Sequence, residues 1–201
     1  MSSSEIDREL PEGATPLDPD EAEDLLPSHI RTRAELNVWE QENILEAAEW
    51  VRRTRKEALE ESTIRELHRR MFSDTWTWAG QYRTSNKTIG VHWPRIPMDV
   101  RNLVEDGRYW LENAVFPIDE AAVRFHHRLV QIHPFPNGNG RHARLWCDLL
   151  LMQRGRPVID WGGGKLDRSG ELRTAYLEAL WSADEGNLKP LLELFLPGRR
   201  G

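Results

Sequence analysis

The chain has 201 residues, of which 30% are charged, and a formal net charge of −6 at pH 7. This length suits one domain with a sizeable core, and the acidic balance lacks the basic field that nucleic-acid binding requires. A single cysteine excludes an intramolecular disulfide. Without a long apolar run or an apolar leader, the sequence predicts a cytoplasmic protein with neither a nucleic-acid partner nor a membrane partner.

The N-terminal part of the chain differs in composition from the rest. Residues 1–26 are acidic and rich in Pro, Ser and Gly, without helical or alternating periodicity. This composition predicts a flexible arm, with residues 27–198 forming a single domain. Thr32 and Glu35 have the spacing of a capping box, in which each side chain bonds the backbone amide of the other residue. A helix is therefore predicted to begin at Thr32.

Beyond this point, apolar residues recur at three- and four-residue steps, which predicts a series of helices. The stretch Leu145–Met152 is apolar almost all round and is predicted to belong to a central, buried helix. The predicted helices after the first run over about 62–72 with Ser62 as the cap, 98–113, 119–132 with Asp119 as the cap, from 140 or 141 through 152, 169–183 and 187–195.

Residues 84–93 interrupt the helical pattern with β-favouring residues and turn formers, and Pro94 and Pro97 bound them. The segment predicts a short β-hairpin, so the fold class is mainly α with one hairpin. A lone hairpin is marginally stable unless it packs on helices, so it should lie against the bundle.

The segment from His133 to Arg144 combines three chemical properties within twelve residues. His133 is a general-base candidate, because imidazole titrates near neutrality. Gly138 and Gly140 permit a nest of inward-turned amides at a helix start, where the macrodipole favours an anion. Arg141 and Arg144 lie three residues apart on one side of the first turn, where forked guanidinium groups fit phosphate oxygens. Phosphate chemistry is therefore predicted.

The pattern His-Pro-Phe-x-x-Gly-Asn-Gly-Arg-x-x-Arg in this segment resembles the signature of the Fic family, whose members typically transfer AMP from ATP to a hydroxyl on a target protein. The resemblance extends less sharply from Thr32 to Leu196 and includes Gly80-Gln81-Tyr82-Arg83, which leads into the hairpin. The layout also resembles the mobile mystery protein B subgroup. The resemblance implies a Fic-like helical bundle with a β-hairpin flap beside the active-site turn. It further implies a protein adenylyltransferase that uses ATP and modifies a Ser, Thr or Tyr hydroxyl.

The resemblance assigns roles position by position. His133 would be the general base, Phe135 would anchor the loop, Arg141 would bind the phosphate chain and Arg144 its terminal phosphate. The anion hole would consist of Gly138, Asn139 and Gly140. The flap would hold a target segment by strand addition through Asn86, Lys87, Thr88, Ile89, Gly90 and Val91.

Asn137 departs from the family pattern, which usually has Asp or Glu there to hold Mg²⁺. Its amide oxygen can ligate a hard cation but carries no charge, so Mg²⁺ should bind less tightly. Three outcomes are open at this residue: weak adenylylation, transfer of a different phosphate-containing group, or an inactive nucleotide-binding module.

Inhibition is a second question. Many family members carry a helix with Ser or Thr, three residues, then Glu followed by Gly or Asn, and that Glu pairs with the second arginine. Glu42 and Asn43 match the end of this pattern, whereas Val38 stands where the hydroxyl should be. A Glu on a charged helix is usually solvated, so Glu42 is expected to face solvent, and the alternative is an inhibitory role for Glu42 and Asn43 with Arg144 as the partner of Glu42. A regulatory or antitoxin-like partner is also expected from the resemblance.

Histidines raise a rival interpretation, a metal site. On a helix His126 and His127 would point about a quarter-turn apart, and no Glu or Cys stands beside them at ligand spacing. We therefore expect both to pack between helices and His142 to face solvent. Cys147 lies in the nearly all-apolar helix, where a thiol is expected to pack rather than to act as a nucleophile.

Overall fold

The computed structural model describes residue 16, residues 18–30 and residues 32–198, and over these residues the protein is a bundle of helices. In chain order the helices are α1 (Pro19–Glu23), α2 (Arg33–Arg53), α3 (Glu61–Phe72), α4 (Ile96–Glu112), α5 (Ile118–Ile132), α6 (Asn139–Gln153), α7 (Glu171–Asp184) and α8 (Lys189–Phe195). Short 3-10 turns, Trp93–Arg95 and Lys165–Asp167, precede α4 and α7.

The helix α6 lies at the centre of the bundle, as predicted, and packs against α5, α2 and α3. Trp146 of α6 stacks on Phe125 of α5 with ring centroids 3.6 Å apart, and its indole donates to the Ala58 carbonyl at 3.0 Å. Cys147 is buried beside it. Burial of this apolar surface is the main term that stabilises the fold. None of the helices in the described ranges has the length and apolarity required to cross a membrane.

Helix positions were predicted better than helix caps. Thr32 accepts the Glu35 amide at 3.2 Å and Glu35 accepts the Thr32 amide at 2.9 Å, so the capping box is formed. Ser62 and Asp119 are not caps, because each lies inside the first turn of its helix. Asp119 instead pairs with Arg156 at 2.8 Å, a contact between distant parts of the chain that no local pattern reveals.

The predicted β-hairpin is not formed: residues 84–91 are an irregular loop, and no strand occurs in the described part of the chain. The guanidinium of Arg83 donates to the carbonyls of Ser85 and Val91 at 2.6 and 2.5 Å, so it bridges the two limbs that a ladder would have joined. The Val91 amide donates to the Ile132 carbonyl at the end of α5, at 3.2 Å. These polar groups are thus bonded to Arg83 and to the end of α5 instead of to the opposite limb of the segment.

Residues 18–26 contact the body of the domain next to this loop. The Lys87 side chain, only 3% exposed, pairs with Asp18 at 2.9 Å and with Glu21. Residues 1–15 and residue 17 lie outside the described residues, so the flexible arm and the domain boundary at residue 26 stay predictions.

Candidate functional site

The turn between α5 and α6 opens into a cavity of about 300 Å³, within the usual size range of small-molecule sites. The cavity is lined by the loop at Ile89 and Gly90, the end of α5, the turn itself, Asp167 and one face of α7. The residues predicted as base, metal ligand and phosphate binders all line it: His133, Asn137, Gly138, Asn139, Gly140, Arg141 and Arg144. The fold therefore brings the predicted residues of the motif together in one place.

His68 of α3 holds the turn from behind. Its ring stacks on the buried Phe135 with centroids 3.7 Å apart. Its Nδ1 accepts the Gly80 amide at 3.0 Å, so the proton lies on Nε2, which donates to the Asn137 carbonyl at 3.1 Å. Burial lowers the pKa of His68 well below its usual value, so the ring stays neutral. The Asn139 side chain closes the turn by bonding the Phe135 backbone at 2.8 and 2.9 Å.

His133 ends α5 in a left-handed conformation, with φ 54°. Arg83 donates to its carbonyl at 2.7 Å, and a Cβ built on Gly90 would lie 2.6 Å from the Cβ of His133. Burial, together with the charges of Arg83 and Lys87, lowers the pKa of His133 to about 3, although a hydrogen bond with the Val130 backbone acts in the opposite direction. The imidazole is therefore neutral at physiological pH, which is the state that a general base requires.

The start of α6 offers backbone amides as a candidate anion site. Gly138 caps the helix with φ 76°, and a Cβ at this position would lie 2.5 Å from the Phe72 ring. The first amides of the helix, from Asn139 onward, have no carbonyl partner within it and lie at its positive end. A Cβ on Gly140 would meet nothing closer than Arg144 Nη1 at 3.7 Å, so there is open space beside this residue, which lines the cavity.

Arg141 is held by a buried carboxylate. Glu40 of α2, 3% exposed, accepts from Arg141 at 2.6 Å and from the Trp76 indole at 2.8 Å. Burial would lower the pKa of Arg141, but the charge and hydrogen bond of Glu40 outweigh this and raise it. The guanidinium also lies over the Phe72 ring, 5.0 Å from its centroid. The charge of Arg141 is fixed in position.

Arg144, one turn further along α6, pairs with Asp167 at 2.5 Å. Asp167 belongs to the 3-10 turn before α7, and its side chain is 36% exposed. The Tyr176 hydroxyl of α7 lies beside Arg144 and 3.1 Å from His126 Nε2. Burial raises the pKa of Tyr176, against the influence of Arg144, and burial lowers the pKa of His126 to about 3. Both groups are therefore neutral in the native protein.

Glu42 faces solvent, as expected, and the alternative pair with Arg144 is not formed. Glu42 is exposed and makes no ion pair with Arg144. Two residues along a helix rotate a side chain by about 200°, so Glu42 faces solvent because Glu40 faces the site. Asn43 is buried and donates to Thr75 Oγ1 at 2.9 Å, which ties α2 to the loop after α3.

The other histidines do not form a metal site. His142 is buried rather than solvent-facing, because α3 covers the start of α6 and the Ile64 carbonyl lies 2.8 Å from its Nε2. Burial lowers the pKa of His142 to about 4. His126 is buried as predicted, and His127 lies at the cavity 2.9 Å from Asp184. Among the described residues, no group of three or more His, Cys, Asp or Glu is placed to hold a metal ion.

Asn137 is poorly suited to hold Mg²⁺. Its Oδ1 accepts the Gly138 amide at 2.7 Å and lies 3.4 Å from a guanidinium nitrogen of Arg141. The oxygen that the metal would use is therefore neutral and already faces hydrogen-bond donors. The residues present at this position do not fit a magnesium ion held by the protein.

The predicted target-binding segment reaches the cavity only in part. Ile89 and Gly90 line it, whereas Lys87 is turned towards the N-terminal residues Asp18 and Glu21. The remaining members of the segment lie outside the cavity lining: Asn86, Thr88 and Val91.

Sequence reasoning missed the residues that hold the motif from outside it. Glu40 carried a usable signal, since it falls within the buried stripe of α2 that contains Leu36, Asn43 and Ala47. A charged residue in a buried stripe normally has a buried partner. No comparable local signal marks the residues that contact the motif from other elements: His68, Asp167 and Tyr176.

Comparisons with known proteins agree with this architecture. A model of the Fic/DOC family matches residues 58–151. Protein adenylyltransferase Fic of Drosophila mojavensis is 34% identical over 134 residues, which are 64% of this chain and 25% of that protein. The protein of the same name from Nematostella vectensis is 32% identical over 155 residues, 73% of this chain and 34% of that protein. The chain thus spans only 25% and 34% of the length of these curated relatives.

A solved structure shows the same fold. BepC, a translocated effector protein of Bartonella tribocorum with bound AMPPNP, superposes with a TM-score of 0.66 at 19% identity. The match covers 87% of this chain and 94% of that one. The closer assignment to the mobile mystery protein B subgroup stays a prediction.

Proposed function

We propose, on the premise that this chain belongs to the Fic/DOC family, that it is a protein adenylyltransferase which moves AMP from ATP to a hydroxyl group of a target protein. Two curated relatives are named protein adenylyltransferases, and the BepC structure holds AMPPNP, an ATP analogue. These names support a nucleoside triphosphate as the donor and a protein as the acceptor.

One observation carries the proposal: a neutral imidazole and a built anion site open on the same cavity. His133 lines this cavity, and so do the start of α6, Arg141 and Arg144. Adenylyl transfer needs this pairing, because a base must take a proton while fixed positive groups stabilise the phosphates.

The proposed step is a displacement at the α-phosphorus. His133 takes the proton of the target hydroxyl as its oxygen bonds to the α-phosphorus, the bond from that phosphorus to the bridging oxygen breaks, and pyrophosphate leaves. The first amides of α6 and Arg141 stabilise the charge of the phosphates, and Arg144 binds the terminal phosphate. Most of the rate acceleration would then come from positioning and charge.

The pKa of His133 connects proton transfer to nucleotide binding. A value of about 3 leaves the ring neutral but a weak proton acceptor. Phosphate anions brought into the cavity would favour the protonated ring and raise this pKa. The histidine thus becomes a better base when its substrate is bound.

The acceptor is proposed to lie along residues 86–91. Ile89 is 45% exposed at the edge of the cavity, and Gly90 lies against His133, so a peptide held here would present its hydroxyl to the imidazole. Since the segment is a loop, the contact would use its exposed backbone and the Ile89 side chain rather than a preformed strand edge.

No step of this mechanism is assigned to Mg²⁺, because Asn137 and its neighbours do not fit it. A regulatory or antitoxin-like partner remains a prediction from the family resemblance.

Labelled ATP tests the proposal. The full-length protein, His133→Ala and the exposed control His92→Ala would be incubated with a lysate and labelled ATP. We expect His133→Ala to lose at least about 100-fold in transfer while keeping ATP affinity, because it removes only the base. His92→Ala should label like the wild type. Equal labelling by His133→Ala would contradict the mechanism.

A second candidate is a nucleotide-binding module without turnover, and the neutral Asn137 favours it. In that case ATP would bind but label would never become covalently attached. Asn137→Asp restores the carboxylate usual in the family, and a gain of transfer in that variant alone would support this second candidate.

A further inference from the structure

The two arginines of the anion site are both paired with carboxylates, but the two pairs differ in exchangeability. The Glu40 side chain is 3% exposed and is also bonded to Trp76, so its carboxylate would not reach solvent if it left Arg141. The Asp167 side chain is 36% exposed, so water can solvate it as soon as it leaves Arg144. An anion entering the cavity can therefore displace Asp167 but not Glu40.

The turn that carries Asp167 need not move for this exchange. Leu166 beside it is buried, 1% exposed, and Arg173 of α7 donates to the Leu166 carbonyl, so the backbone is anchored. Rotation of the Asp167 side chain alone turns its carboxylate towards solvent. Such rotamer changes are fast and cost little at an exposed position.

Arg144 would remain in place after the exchange. Its side chain is 11% exposed, and the Tyr176 hydroxyl beside it is held in turn by His126 at 3.1 Å. The guanidinium is therefore supported from the α7 side independently of Asp167. Arg144 is therefore positioned to bind an anion, but its guanidinium is paired with the carboxylate of Asp167.

We propose that Asp167 is a specificity-determining residue, which competes with the terminal phosphate of the nucleotide for Arg144. The proposal rests on the function proposed above, in which Arg144 binds that phosphate. A nucleoside triphosphate must displace the carboxylate and place its own charge nearby, whereas a nucleoside monophosphate leaves the ion pair intact. Asp167 therefore weakens ATP binding selectively and narrows the difference in affinity between ATP and AMP.

The test compares the affinities of the full-length protein for ATP and AMP by calorimetry. Asp167→Asn keeps the shape of the side chain and removes its charge. We expect the dissociation constant for ATP to fall roughly tenfold, about 1.4 kcal/mol, and that for AMP to stay within about twofold. Asp160→Asn is the matched control, since this exposed Asp precedes the same loop and bonds only the Gly162 amide, at 2.8 Å, among described contacts. It should change neither affinity.

A double substitution tests whether Asp167 affects ATP binding through Arg144. In an Arg144→Gln background, Asp167→Asn should lose most of its effect on ATP binding, because the guanidinium that Asp167 pairs with is gone. Equal tightening of ATP and AMP, a gain that persists without Arg144, or unchanged ATP affinity in Asp167→Asn would overturn the inference while leaving the proposed function standing. If neither the wild type nor Asp167→Asn bound ATP, the phosphate site itself would be refuted, and the proposed function would fail with it.

Discussion

Arg141 and Arg144 lie one turn apart on α6, yet the two sides of the site that they belong to are built differently. The Arg141 side is packed: Glu40 comes from the 21-residue helix α2 and is buried against Trp76. The Arg144 side ends in Asp167, which a three-residue turn presents to solvent. An arginine–carboxylate ion pair is thus structural on the Arg141 side and exchangeable on the Arg144 side. The N–O distances of the two pairs are similar, so the burial of the carboxylate makes the difference.

Acid should break the packed side, with the largest effect. Burial lowers the pKa of His68, His126, His133 and His142, and His68 and His142 lie against the turn on this side. Below the unfolded value of 6.5, the unfolded chain binds protons that the native protein does not, so stability is present above pH 6.5 and is lost as pH falls. Each group contributes up to roughly 1.4 kcal/mol per pH unit, so several kcal/mol should disappear by about pH 4.5.

Urea unfolding at a series of pH values measures this loss. His142→Gln should flatten the dependence, because one buried group no longer titrates. The exposed His92→Gln should leave the dependence unchanged. A free energy of unfolding that is constant from pH 7 to pH 5 would show that these histidines are protonated without cost.

Removal of each carboxylate sharpens the comparison. Glu40→Ala leaves Arg141 largely buried without an anion and the Trp76 indole without an acceptor, so we expect a loss of about 3 kcal/mol in the free energy of unfolding. Denaturant unfolding at neutral pH would measure it. Glu40→Gln, which keeps an oxygen for the indole, should lose less than Glu40→Ala.

The corresponding change on the other side should be nearly silent. Asp167→Ala removes a partly exposed pair, so the free energy of unfolding should fall by less than about 1 kcal/mol. The same unfolding experiment applies. A loss as large as that of Glu40→Ala would mean that the Asp167 pair is structural, and the contrast between the two sides would then disappear.

The features that could be predicted from sequence are those encoded within a few residues. The capping box of Thr32 and Glu35, the end of α5 before Pro134 and the grouping of His133 with Arg141 all depend on local spacing. These features follow from local backbone geometry and do not depend on how the rest of the chain packs.

The features that could not be predicted depend on contacts between distant residues. Glu40 is 101 positions from Arg141, and His68 is 69 positions from the Asn137 carbonyl that it binds. The hairpin was mispredicted for the same reason, since Arg83 satisfies the limbs of a segment whose composition favours strands. A single sequence does not show which side chains contact residues of distant helices.

The left-handed backbone of His133 has a conformational cost that the proposed chemistry accounts for. Helices commonly place glycine at such a position, because any side chain there costs roughly 1 kcal/mol in conformational energy. At φ 54° this helix carries an imidazole instead, and it surrounds the ring with groups that lower its pKa. Glycine at 133 would relieve the backbone strain and remove the proposed proton acceptor in the same exchange. Under the proposed function, stability and activity therefore compete at a single residue, and the most stable sequence for this turn would be an inactive one.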